Sequence, residues 1–219
     1  MPQPLQIALT SYIPYISDKV EFMSSDTANL GGRLPLVDSA ALSPAQKQLF
    51  DQMTKTLLPW AESVGFQACT EDGRFIGPLN PMLLHPEITG SFLQLLFDEG
   101  EHTSLTERVR QVVILTVGAV WRADYELYAH AAVARKAGLT EDAIRVLGSG
   151  GQPDVLTDQE GIAHRVARQL SVEHQLDDEL YREAEQTFGS SGVLDIVLLA
   201  GIYHTVCATL NAFDIPAPA

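Results

Sequence analysis

Residues 104–138 read SLTERVRQVVILTVGAVWRADYELYAHAAVARKAG, and the fold turns on how this stretch is parsed. SLTE at 104–107 has the form of a capping box, in which a Ser or Thr and a Glu three residues later satisfy free amides at a helix start. The run that follows, VRQVVILTVGAV, is apolar on nearly every side, and a helix of that kind belongs in a protein interior. A further helix is predicted from about Ala123 to Ala137, closed by Gly138 after the basic pair Arg135 and Lys136.

Working outward, the same signals recur. Ser43 caps SPAQKQLFDQM with Pro44 at the first helical position and Gln46 completing a box, and Leu49, Met53, Leu57 and Trp60 follow at helical spacing. The segment GFQACTEDGRFIGPLNPMLLHPE is broken by Gly and Pro and reads as loop. Thr140 caps EDAIRVLG, TDQE at 157–160 is another box, and DDELYREAEQTFG is a short helix ending in glycine. SGVLDIVLLAGIYHTVCATLNAF is a second buried apolar helix, whose pattern partly repeats that of ERVRQVVILTVGAV. No β-type alternation is found. The expected fold is all-α: an irregular N-terminal arm over residues 1–40, then a single helical domain over 41–219 with its core at about 78–150.

Composition bounds the function. Hydrophobic residues are 46% and charged residues 19% of the 219, a globular balance with room for one sizeable core. A formal charge of −14 argues against nucleic acid and anionic membrane as partners. Cys69 and Cys207 are far apart and form no CxxC or zinc motif, which fits a reducing, cytoplasmic setting. The N-terminus lacks a signal-peptide pattern, and no run of about 18 apolar residues predicts a membrane span.

Within the helix from Ala123, Glu126 and His130 are four apart and so share a stripe. A carboxylate beside an imidazole is expected to raise the histidine's pKa and fix its tautomer, a pair able to move a proton near neutral pH. Spacing alone equally allows an ordinary surface pair, and a metal would need more ligands than these two. Arg110 and Arg122 bracket the pair and are suited to gripping a substrate carboxylate. Tyr203 and His204, in the last apolar helix, either line the same cavity or are hydrogen-bonded core.

The stretches GPLNPMLLHPE, RVRQVVILTVGAVWRADYELYAHAAVARKAGLTEDAI and GIYHTVCATLNAFDIP resemble the carboxymuconolactone decarboxylase and alkyl hydroperoxidase-D-like superfamily. The resemblance implies an AhpD-like helical bundle, assembly into trimers or hexamers, and a small-molecule site without an organic cofactor. Peroxidase-type members carry Glu…CxxCxxxH. Here those places hold Gln111, Ala123 and Glu126, with the histidine kept as His130, so CxxC-dependent peroxidase chemistry cannot run at this motif. Decarboxylase-like members resemble the chain better. The implied activity is lyase or isomerase chemistry on a small lactone or organic acid, with His130 and Glu126 catalytic and Gln111, Arg110, Arg122, Tyr203 and His204 binding substrate. A peroxidase with a degenerate motif and a non-catalytic oligomeric binder are the alternatives.

Overall fold

The computed structural model describes residues 30–219 of the chain. Most of the predicted arm, residues 1–29, lies outside the described residues. The remainder of it runs irregularly into a short 3-10 helix, Ser39–Ala41. The Arg33 amide donates to the Phe213 carbonyl at 2.7 Å, which ties this stretch of backbone to the far end of the chain.

Eight α-helices follow among the described residues: α1 Pro44–Val64, α2 Leu79–Met82, α3 Pro86–His102, α4 Glu107–Trp121, α5 Asp124–Lys136, α6 Glu141–Gly148, α7 Asp158–Glu173 and α8 Asp178–Ala212. Several ends are built as the sequence predicts. Ser43 and Gln46 form a reciprocal capping box at α1, and Thr157 and Glu160 form another at α7. The start of α4 differs. Its cap is Thr106, whose side chain accepts from the Val109 amide, whereas Ser104 is drawn away to Asp195, its hydroxyl donating to that carboxylate at 2.6 Å. A tertiary partner on α8 outcompetes the local box.

The larger difference is α3, which has no counterpart in the sequence reading. Its opening falls inside a Gly- and Pro-punctuated stretch, and Gly90 and Gly100 lower its intrinsic helicity. Packing supplies what propensity lacks: Leu93 is buried in a cluster with Leu49, Met53 and Phe75. The two predicted C-terminal helices meet at Gly189, as expected, where a φ of 69° and ψ of 166° break the helical path of α8. By length and mean hydropathy (1.8) α8 could cross a bilayer, yet half of its most apolar window is buried within the protein.

The core has a seam. α4 is the hub, packed against α5, α6, α7 and α8. Its side chains Val113, Ile114 and Val117 join Ile196, Leu199 and Cys207 of α8 in one cluster. A second cluster holds α1, the 66–83 region and α3 together. The 65–78 loop is pinned onto α5 by two tyrosines: the Tyr125 hydroxyl donates to the Gln67 carbonyl at 2.7 Å, and the Gln67 amide donates to the Tyr128 hydroxyl at 3.0 Å. The two clusters meet over α5, where the predicted acid–base pair lies.

Candidate active site

Glu126 and His130 both sit on the buried side of α5, with side chains 3% and 7% exposed. Gly118 of α4 makes room for the first of them: a Cβ there would lie 3.4 Å from Glu126 Cγ and 3.1 Å from Leu127 Cδ2. His130 Nε2 lies 3.2 Å from Glu126 Oε1. The two are close without the alignment of a hydrogen bond, and among the described residues the buried Oε1 has no hydrogen-bond partner.

The other ring nitrogen is fixed. His130 Nδ1 is 2.8 Å from Gln111 Oε1, and Gln111 Nε2 donates to Glu107 Oε1 at 2.7 Å. A carboxylate accepts only, so Glu107 turns the amide nitrogen of Gln111 toward itself and the amide oxygen toward the histidine. An oxygen acceptor at Nδ1 requires the proton there, which leaves Nε2 of the neutral imidazole as a free base facing Glu126.

Burial decides where the pair's proton rests. Desolvation raises the Glu126 carboxyl from its ordinary value to about 8. Desolvation, followed by the nearby Arg110 charge, lowers His130 to about 3. Both shifts favour the uncharged forms, a protonated acid beside a neutral base. This reverses the expectation that the glutamate raises the histidine's pKa. Taking both charged forms out of water costs more than their mutual attraction returns.

A cavity of about 100 Å³ opens at the seam beside this pair. α1 contributes Trp60 and Leu57, α3 contributes Phe92 and Leu96, and α8 contributes Tyr203 and Val206. Glu126 and His130 lie at its α5 side with Tyr125. Tyr203 meets the His130 ring edge-on, with centroids 4.9 Å apart. Trp60, Phe92 and Met82 were not singled out from the sequence as site residues. They belong to three separate elements, and only the aromatic at Trp60, 41% exposed at the end of a helix face, carried any local signal.

The other predicted binding residues are placed elsewhere. Gln111 stands behind His130 and positions it rather than meeting a ligand. Arg110 pairs with buried Glu99 and with Glu107, so its charge is already matched. Arg122 is exposed at the C-terminal cap of α4 in a left-handed conformation, φ 52° and ψ 45°, and borders a separate cleft with Asp214. His204 Nε2 is 2.8 Å from Ser171 Oγ and the ring packs edge-on to Trp121, facing α7 rather than the cavity. Neither thiol is activated. Burial raises both Cys69 and Cys207, with Glu62 and Glu126 respectively adding to the shift.

A helical bundle with a buried acid–base pair on its central hairpin is the class of protein that fold and site define. Residues 86–168 match the sequence model of the carboxymuconolactone decarboxylase family. Several solved structures share the fold, three of them as follows. One is an uncharacterized peroxidase-related protein with an alkylhydroperoxidase AhpD core from Ralstonia eutropha JMP134 (TM-score 0.64, 14% identity, 85% of this chain and 92% of that one). The second is an uncharacterized peroxidase-related protein from Silicibacter sp. TM1040 (TM-score 0.65, 14% identity, 89% and 95%). The third is the debrominase Bmp8 in complex with 2,3,4-tribromopyrrole (TM-score 0.63, 16% identity, 85% and 91%). At such identities the likeness is one of fold. No curated protein matches the sequence significantly.

Proposed function

We propose that this chain is a proton-transfer enzyme, a lyase or isomerase that needs no organic cofactor and works on a small molecule held in the seam cavity. The observation that carries the reading is the unpartnered Glu126 Oε1, buried 3.2 Å from the free Nε2 of His130 at the edge of a cavity. A buried polar atom without a partner costs stability, and a ligand able to accept a proton from it offsets that cost. In this reading Glu126 is the general acid and His130 the general base, with Gln111 and Glu107 holding the imidazole in the productive tautomer. Tyr203 orients the ring. Fold neighbours include an enzyme bound to a small heterocycle, which supports a small-molecule site here.

The test is turnover of a panel of lactones, enones and keto acids, 4-carboxymuconolactone included, by wild type, His130→Ala and Glu126→Gln. Loss of turnover in both variants, with helical content retained by circular dichroism, is the expected result. Equal turnover in all three sinks the reading. A non-catalytic binder is the second reading, and what favours it is Gln111, an amide that cannot titrate where peroxidase-type relatives carry an acid. Turnover of none of the panel, combined with saturable binding, would move the reading there. Self-association in a cytoplasmic setting belongs to the proposal as well. The exposed stripe Leu194, Val197 and Leu198 on α8 supplies apolar surface for it, and sedimentation measures it.

A further inference from the structure

We propose that the ligand of this site is an uncharged, enolisable ring carbonyl compound and not a carboxylate. The proposal rests on the proton-transfer reading only for where the ligand lies. Three independent features of the cavity carry it.

The first is charge. Among the described residues lining the cavity, none is lysine or arginine. Arg110, the cation near His130, is held by Glu99, itself buried, and by Glu107. An anion entering would be stripped of water with no counter-charge to receive it, which disfavours it strongly. A carboxylated lactone gripped by an arginine, the substrate the sequence suggests, does not suit this pocket.

The second is the donor and acceptor pattern. Gln111 Oε1 fixes the proton on His130 Nδ1, so Nε2 offers a lone pair, and the protonated Glu126 beside it offers a proton. A carboxylate presents acceptors only and would set an oxygen against the Nε2 lone pair. A ketone or unsubstituted lactone fits both groups at once. Its carbonyl oxygen accepts from Glu126, and the adjacent carbon's C–H faces Nε2. The step balances: Nε2 takes the α proton while Glu126 gives its own to the carbonyl oxygen, so the ketone becomes its enol and the pair becomes imidazolium and carboxylate. Return of a proton to the same carbon exchanges it with solvent, and delivery to a conjugated carbon moves a double bond.

The third is size and wall chemistry. An apolar cavity of about 150 Å³ takes up benzene, so about 100 Å³ limits the ligand to no more than a single small ring. The walls facing the pair are aromatic and aliphatic: Trp60, Phe66, Phe92, Leu96 and Tyr203. Trp60 and Phe66, like Leu79 and Met82 on α2, come from outside the family-matched residues 86–168. The N-terminal helices therefore set a selectivity that the family segment alone does not contain.

The probes are cyclopentanone and cyclopentanecarboxylate, the same ring with a neutral and an anionic oxygen group. Binding to the full wild-type chain is followed at pH 7 by tryptophan fluorescence, with Trp60→Phe identifying the Trp60 signal, and by the NMR signals of His130. Salt of about 0.5 M screens the chain's overall negative charge from the comparison. Cyclopentanone is expected to give saturable shifts, with the carboxylate at least about tenfold weaker, a factor equal to 1.4 kcal/mol. A carboxylate that binds as tightly as the ketone overturns the proposal, and so does the absence of saturable binding by either. Deuterium incorporation into cyclopentanone in D₂O separates this from the catalytic reading. Binding without exchange above the buffer rate leaves the ligand class standing and removes the proton-transfer function.

Discussion

Two buried histidines approach α4 from different helices, and only one of them lines the seam cavity. His130 reaches it from α5, with Nδ1 2.8 Å from Gln111 Oε1. His164 reaches it from α7, with Nδ1 2.8 Å from Thr116 Oγ1, a hydroxyl that itself donates to the Val112 carbonyl at 2.6 Å. Desolvation lowers both, His130 to about 3 and His164 to about 4. What separates them is the second nitrogen. His130 Nε2 faces a cavity and an unpartnered acid, whereas His164 does not line that cavity. Burial, a lowered pKa and an anchoring bond are thus shared by a core histidine and a candidate base. The cavity and the unsatisfied carboxyl are not.

The largest expected effect comes from the histidines themselves. His130→Ala should lower kcat/KM by about 10²–10⁴-fold, the usual contribution of a positioned acid–base group. His164→Ala should leave kcat within about threefold and instead lower stability by about 1–3 kcal/mol. Steady-state kinetics and thermal melts on both variants decide it. Comparable kinetic losses would break the comparison.

Glu126→Gln comes next, with a loss of about 100-fold or more in kcat from removing the transferable proton. It also carries a pH signature. The Glu126 carboxyl rises from 4.5 to about 8 on folding, so its contribution to stability is full below pH 4.5 and drains away as pH climbs to about 8. The glutamine variant should therefore melt above wild type at pH 8 and no higher than wild type at pH 5. His130, lowered from 6.5 to about 3, acts in the other direction: its contribution is full above pH 6.5 and is lost as pH falls toward 3. Melting curves from pH 4 to 9 read both limbs.

A smaller change sharpens the role of the anchor. Gln111→Leu removes the acceptor at Nδ1 while keeping buried volume, and kcat should fall by about tenfold with little change in KM. The nitrogen-15 signals of His130 should then report a mixture of tautomers, a change that a purely structural residue would not cause. Smallest of all is Arg122→Gly. The left-handed cap favours glycine, so stability should rise by up to about 1 kcal/mol with activity unchanged. A loss of activity there would restore Arg122 as a substrate contact.

Much of this molecule was legible in one dimension. The boxes at Ser43–Gln46 and Thr157–Glu160 and the end of α5 before Gly138 are settled within a few residues, by backbone amides seeking near partners. The pairing of Glu126 with His130 follows from helical spacing, which is equally local. The same reasoning failed at Ser104, claimed by Asp195 some 91 residues away, and at α3, whose stability comes from packing. It also assigned to the pocket four contacts that do not line it: Arg110, Gln111 and His204 meet other side chains, and Arg122 lies exposed at a helix cap.

The sequence alone determined most of the helices, several of their caps and the placing of Glu126 and His130 on one stripe, because those depend on interactions spanning a turn or two of chain. Only the tertiary structure decided that α1, α3 and α8 close an apolar cavity over that pair. It alone decided that Arg110, whose charge acts on His130, is already matched, and that burial favours the proton on Glu126 over His130. Desolvation is a property of everything packed around a group, and no local pattern encodes it.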